Sequence, residues 1–430
     1  APENISINKI KNKGYDEIPK YGWIPGTVPG APGAWAELSN KFGKLSLSVV
    51  LEPAIEIAYN GYPVSPVTGK FWQRAFEVYS NQLKGNQFKH WFETFAPKGR
   101  PPEIGEVWKS KDHARTLQKI AETNANSFYE GEIADKIVNF SDKYNGFISK
   151  SDLENYSPEW VDPVSINYRG YDIWEIPPNG QGLVALIALN ILKGFEFKEK
   201  DTVNTYHKQL EAMKLAFSDG KKYITDPGEM KVETEKLLSD SYAEKRRKLI
   251  GESALKPEPG HPDQGGTVYL ATADNEGNMV SFIQSNYMGF GSGLVVPDTG
   301  IALQNRGNNF SLNPDHDNCI QPGKRTYHTI IPGFMTKNNK PVGPFGVMGG
   351  FMQPQGHVQV VMNTIDFNLN PQAALDAPRW QWTEGKNIKL EHSFPSHLAK
   401  LLKNRGHNIE VSLESSSYGR GQIIWKDHEK

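Results

Sequence analysis

At 430 residues, with 48 Lys and Arg against 49 Asp and Glu and a net charge of −1, the chain has no charge excess to draw it to nucleic acid or to an anionic membrane. Its one cysteine, Cys319, excludes an intrachain disulfide and a thiolate-built metal site. The longest apolar run, Leu183–Leu192, falls well short of the roughly 20 residues a bilayer demands, so it predicts a buried helix and no membrane span.

The length allows two or three domains, although α/β folds of this size can share one core. Residues 1–34 read as irregular, closing on Pro25-Gly26-Thr27-Val28-Pro29-Gly30-Ala31-Pro32-Gly33, where fixed and permissive φ alternate. Trp35–Phe42 and Val49–Tyr59 carry helical spacing, the second with Leu51, Ile55 and Ala58 on one face and Asn60-Gly61 as its stop. The aromatic run Phe71–Phe95 serves a core better than an exposed binding stripe. Ala114–Phe128 predicts a helix with Leu117, Ile120 and Ala121 inward, and Asp135–Tyr156 is helical in parts. Val161–Trp174 alternates as a hairpin around Arg169-Gly170, and Pro177–Gly182 breaks the chain before the Leu183 helix.

Leu210, Met213, Lys214 and Phe217 sit at helical spacing within His207–Tyr223; His207 has no second ligand at zinc spacing and reads as a surface or satisfied core histidine. The basic run Glu244–Lys248 reads as a solvated helix face, and 251–264 as a mobile linker. Gly289–Gly293 lacks the strand, helix and Lys-Ser/Thr of a phosphate loop and reads as a turn, and Asp315–Asn318 is a Pro-flanked loop to which no metal is assigned. Farther on come a strand from Pro344 into Gly349-Gly350, helices around Gly356–Phe367 and from Asn370-Pro371, a helix Ser396–Asn404, and strands Asn408–Leu413 and Gly421–Trp425.

The centre of the chain is 264–286. Val268–Ala273 alternates as a buried strand, Asn275–Asn278 supplies turn residues, and Met279–Asn286 returns as a second strand. Gln264-Gly265-Gly266 precedes Thr267, the first side chain of the hairpin. Local composition alone describes a turn followed by an ordinary strand threonine. A second reading requires cleavage of the Gly266–Thr267 bond, which gives Thr267 both a nucleophilic hydroxyl and, in its own freed α-amine, a base of pKa about 7.7 to 8.0.

The C-terminal third resembles the gamma-glutamyltranspeptidase family of N-terminal-nucleophile enzymes. The resemblance rests on Thr267–Asp274, Phe290-Gly291-Ser292-Gly293, Thr299-Gly300-Ile301 with Asn305-Arg306-Gly307, Pro322–Arg325, Met348-Gly349-Gly350 and Asn370–Ala373 through Ala377-Pro378-Arg379, in the family's order. It implies an α+β fold, the four-layer αββα sandwich, with residues 1–266 as a large-subunit part and 267–430 as a small-subunit part sharing one intertwined core. It implies autocatalytic cleavage at Gly266–Thr267, Thr267 as nucleophile, Ser285 in place of a second threonine that tunes it, and Gly349 and Gly350 as oxyanion donors.

For substrate binding it implies Asn305, Asn309, His328 and Thr329. Asn309 stands where the family places an aspartate against the donor's α-amine, which weakens preference for an ammonium. His328 and Thr329 replace a serine pair on the α-carboxylate, His328 reading equally as a donor or as a structural residue. The family's carboxylate-gripping arginine is expected upstream of Ala1, and the short stretch between Phe310 and Pro322 implies an open, lidless site. The implied function is a gamma-glutamyl or glutaryl-like acyl hydrolase or transferase needing no cofactor or metal, with an amine or water as acceptor. A non-catalytic, uncleaved scaffold is the rival. Compartment and oligomeric state stay open.

Overall fold

The structure, a computed structural model, describes residues 1–257 and 266–426. Residues 258–264 of the expected linker, and Gly265, lie outside the described residues. The chain forms two compact units, one of residues 1–160, 286–314 and 319–326, the other of 161–285, 315–318 and 327–430. Each unit draws on chain from both sides of the Gly266–Thr267 bond.

The first unit is largely helical. Ser46, Ser65 and Ser110 cap the helices Leu47–Asn60, Pro66–Gln82 and Lys111–Glu122, each accepting an N–H three residues on. The aromatic run packs inward as composition suggested: Trp72, Tyr79, Trp91 and Phe95 are buried. Phe290, returning after the hairpin, meets Phe95 with ring centroids 4.5 Å apart. The Tyr79 hydroxyl donates to the Gly291 carbonyl at 3.1 Å, which fixes the turn expected at Gly289–Gly293.

The second unit holds a five-stranded antiparallel sheet in the order Arg420–Ile423, Lys340–Met348, Gly333–Lys337, Tyr171–Glu175 and Val164–Tyr168. Arg169 and Gly170 both take positive φ, as a two-residue hairpin turn demands. Along Lys340–Met348, neighbouring residues face opposite ways. A Cβ at Gly346 would lie 2.5 Å from the Tyr269 ring, so the Gly266–Ala273 strand stacks against that face. Val347 contacts Gly356 of the helix Met352–Ile365 on the other face. Beside it the helix Gly182–Leu192 is apolar all round and buried along its whole length, the pattern of a helix enclosed by its own protein. His357 donates from Nδ1 to Glu175 at 2.6 Å and accepts the Val347 N–H at Nε2, pinning this helix to two strands.

Among the strands that escaped the sequence reading are the short pair Tyr62–Pro63 and Val107–Trp108, and then Gly333–Lys337, Trp380–Glu384 and Asn387–Glu391. The last two form a small mixed sheet with Asn408–Ser412, which pairs parallel to Asn387–Glu391. The basic run 244–248 also needs correction. Arg246 pairs with the buried Asp219 at 2.9 Å, and Arg247 donates to the Asn190 and Ile191 carbonyls, so these two bind the fold while Glu244 and Lys248 form the exposed pair. The start of the expected linker is fixed too, for Ala254 N–H donates to Arg405 O at 2.7 Å.

Candidate active site

Thr267 is buried in the strand Gly266–Ala273, opposite Ser285 in the strand Met279–Tyr287. Their register follows from the turn. Asp274 accepts the N–H groups of Glu276 and Asn278 on one carboxylate oxygen, and Gly277 takes φ +88°, so the chain reverses over Asp274–Asn278. The consequence is a 3.0 Å contact between Thr267 Oγ1 and Ser285 Oγ. Two residues along the first strand and four along the second, Tyr269 Oη lies 3.0 Å from Ser281 Oγ, and Ser281 Oγ donates to Gly333 O at 2.8 Å. A serine hydroxyl has one proton, so Tyr269 donates to Ser281. This run of hydrogen bonds ties the Thr267 hairpin to the five-stranded sheet.

Gly349 and Gly350 end the strand Lys340–Met348 and lead into the helix Met352–Ile365. Their φ values of +137° and +60° lie in the region that favours glycine. Gly349 O accepts Met352 N–H at 3.0 Å and Gly350 O accepts Gln353 N–H at 3.2 Å, so both peptides join the first helical turn. Its macrodipole places positive potential at this end of the helix.

Gln181, which no sequence signal singled out, crosses the same region. It is fully buried, and its Nε2 donates to Thr329 O at 2.6 Å and to Gly350 O at 2.8 Å. His328 is bonded through its backbone on both sides, donating to Asn179 O and accepting from Gln181 N, each at 2.8 Å. Its Nδ1 accepts the Ile330 N–H at 3.3 Å, which leaves the ring proton on Nε2. Thr329 is buried beside it. Thr267, Ser285, Gly349, Gly350, His328 and Thr329 all belong to the second unit.

Asn305 and Asn309 belong to the first. Asn305 is fully buried; its Nδ2 donates to Lys20 O and its Oδ1 accepts Met288 N–H, a use of the amide that staples three backbone segments together. Asn309, half-buried, accepts the Tyr287 hydroxyl at Oδ1 at 2.7 Å. Arg306, in the same short turn, lies with its guanidinium carbon 4.5 Å from the Tyr287 ring centroid, and burial lowers its pKa to about 10.

Among the described residues one further cluster has metal-ligand donors. His207, Glu211 and His407 are buried with donor atoms within 4.8 Å of one another. The cation at their centre is Lys214, which donates to Glu211 at 2.7 Å, to Leu255 O at 3.1 Å and toward His407 Nδ1 at 3.4 Å. The protons then run one way: His407 Nε2 donates to His207 Nδ1, and His207 Nε2 donates to Gly251 O, each at 2.9 Å. Burial and Lys214 hold His407 neutral, its pKa lowered to about 2. His207 is thus a satisfied core histidine, and its partner His407 lies 200 residues away.

The family model of gamma-glutamyltranspeptidase matches residues 1–430. The chain belongs to the gamma-glutamyltranspeptidase family. Its enzyme class is accordingly that of gamma-glutamyltransferases, gamma-glutamyl hydrolases and related amide acylases. The glutathione hydrolase-like YwrD proenzyme of Bacillus subtilis is 37% identical over 94% of this chain and 78% of its own length. The acylase ACY 1 proenzyme of Pseudomonas sp. strain V22 is 31% identical over 89% of this chain and 68% of its own. The crystal structure of cephalosporin acylase from Bacillus halodurans superposes with a TM-score of 0.97 at 64% identity, covering 99% of this chain and 79% of that one. The expected fold class, the α+β sandwich of N-terminal-nucleophile hydrolases, is thereby shown for this member of the gamma-glutamyltranspeptidase family. Among the described residues no helix is long and apolar enough to cross a membrane.

Proposed function

We propose that the chain is a self-processing acyl hydrolase or transferase that forms an acyl-enzyme on Thr267 and acts on glutaryl-like or gamma-glutamyl amides. The observation that carries this is the 3.0 Å contact of the buried Thr267, through Oγ1, with Ser285 Oγ at the head of a strand that alternates buried and exposed residues, directly after Gly266. In the intact chain the Thr267 nitrogen is an amide and has no basicity to lend. Attack of Oγ1 on the Gly266 carbonyl breaks that amide and forms an ester, which water opens to a Gly266 carboxylate and a free Thr267 amine. The amine then accepts the Oγ1 proton during attack on a donor amide, and Gly349 and Gly350 N–H groups stabilise the oxyanion. The departing amine takes that proton, and water or a second amine releases the acyl group. On this reading residues 1–266 and 267–430 become two subunits and no cofactor is required.

Asn309, an amide where the family places an aspartate, supports a donor without an α-ammonium, such as a glutaryl amide, because an amide lacks the charge that would pair with one. The test is the intact mass of the purified chain with and without Thr267→Ala. The parent is expected as two pieces divided at Gly266–Thr267 and the variant as one. A parent that stays whole through long incubation, indistinguishable from the variant, refutes the reading and supports the scaffold alternative.

A further inference from the structure

Two glycines in succession are the least constrained backbone a chain can have, yet oxyanion stabilisation depends on N–H groups already aimed before charge develops. Something outside the glycines must hold them. The helix turn accounts for one restraint on each carbonyl. Gln181 supplies another, from a turn more than 160 residues earlier in the chain.

Its amide orientation is determined by its neighbours. Thr329 O and Gly350 O can only accept, so both face Nε2, at 2.6 and 2.8 Å. Tyr327 Oη can donate, and it lies 3.2 Å from Oε1. The backbone is held as well: Gln181 N donates to His328 O, His328 N donates to Asn179 O, and Gly180 and His328 form a parallel bridge. Next to this, Gln353 Oε1 accepts Ile331 N–H at 3.1 Å. One buried side chain therefore joins the glycine pair to the segment 327–329. Holding Gly350 O fixes the plane of the peptide that follows Gly350, which narrows the φ and ψ open to this glycine and so limits how far the preceding peptide, which carries the Gly350 N–H, can turn.

We infer that Gln181 is a positioning residue for acyl transfer, fixing the Gly349-Gly350 donors and the Thr329 segment in one rigid arrangement. This rests on the function proposed above. A residue acting through the oxyanion donors should matter more in the transition state than in the ground state, and so lower kcat while sparing KM.

The experiment uses the processed enzyme with glutaryl p-nitroanilide and gamma-glutamyl p-nitroanilide. Gln181→Met keeps the length and removes every side-chain hydrogen bond. Its kcat is expected to fall roughly tenfold to a hundredfold, below the loss seen when a donor itself is removed, with KM within about twofold. An acyl boronic acid, whose tetrahedral adduct on Thr267 carries the negative oxygen, should bind more weakly in proportion to kcat, while inhibition by glutarate stays unchanged. Tyr327→Phe removes the bond that turns the amide; it keeps the test available if Gln181→Met does not fold, and should show the same pattern at severalfold. A Gln181→Met enzyme with parental kcat overturns the inference, as does one that loses boronate and glutarate binding equally. A parent that turns over neither anilide overturns the proposed function, and this inference with it.

Discussion

Replacing Asn309 by aspartate tests the reading of donor specificity most directly. The Tyr287 hydroxyl donates to Asn309 Oδ1 at 2.7 Å, and Asn309→Asp keeps an acceptor there, so the turn Arg306–Asn309 retains its anchor. What changes is the other side of the group, where N–H donors give way to a charged oxygen. A hydrogen bond to a charged partner contributes about 1.5 to 3 kcal/mol. For a donor bearing an α-ammonium that converts to roughly a tenfold to 150-fold gain in kcat/KM. A glutaryl donor lacks the ammonium and gains nothing. The assay is the ratio of kcat/KM for gamma-glutamyl and glutaryl p-nitroanilides in parent and variant. An active Asn309→Asp enzyme with an unchanged ratio would show that this residue does not meet the donor's α-position.

Ser285→Ala removes the hydroxyl 3.0 Å from Thr267 Oγ1 and should slow both self-cleavage and turnover by roughly fivefold to tenfold, a neutral hydrogen bond being worth about 1 kcal/mol, while Ser285→Thr keeps both; equal rates in all three proteins would deny the contact any part in the chemistry. Lys214→Met strands the Glu211 carboxylate in a fully buried site and should cost about 3 to 5 kcal/mol in urea unfolding of a Thr267→Ala background, whereas adding Glu211→Leu should recover most of it; a loss under about 1 kcal/mol for the single change would contradict the pairing. Lys221 has its ammonium buried without a hydrogen-bond partner over the rings of Phe351, Trp382 and Phe217, and burial lowers its pKa to about 7. Between that value and the ordinary lysine value of 10.5 the unfolded chain binds the extra proton, so stability from this group is lowest below about pH 7 and rises with pH through the window. Lys221→Met should therefore stabilise most near pH 6 and converge on the parent near pH 10; a difference that does not vary with pH would refute the assignment.

What the sequence determined by itself is what short-range chemistry controls. The hairpin around Asp274–Asn278 was legible because turn residues and alternation both lie within one stretch, and that fold-back alone sets Thr267 against Ser285. Ser396–Asn404 appears with the expected bounds, and Asn370 caps the next helix start through its side chain, because helix ends are also written locally. The role proposed for Thr267 comes from resemblance alone, since a threonine opening a strand looks like any other. Tertiary structure decided the rest. The strands Trp380–Glu384 and Asn387–Glu391 gain definition from pairing, one of them with a parallel neighbour beyond a helix, and no local period announces that partner. Lys214 reads as one polar residue among apolar ones at helical spacing. It is buried at no exposure because Glu211, Leu255 and His407 converge on it from three parts of the chain. Gln181 sits in a Pro-Pro-Asn-Gly-Gln-Gly turn that reads only as a helix break. Its bonds to Thr329 and Gly350 span 148 and 169 residues, and hydrogen bonds of that reach depend on where the folded backbone brings two carbonyls, which spacing along the chain does not encode.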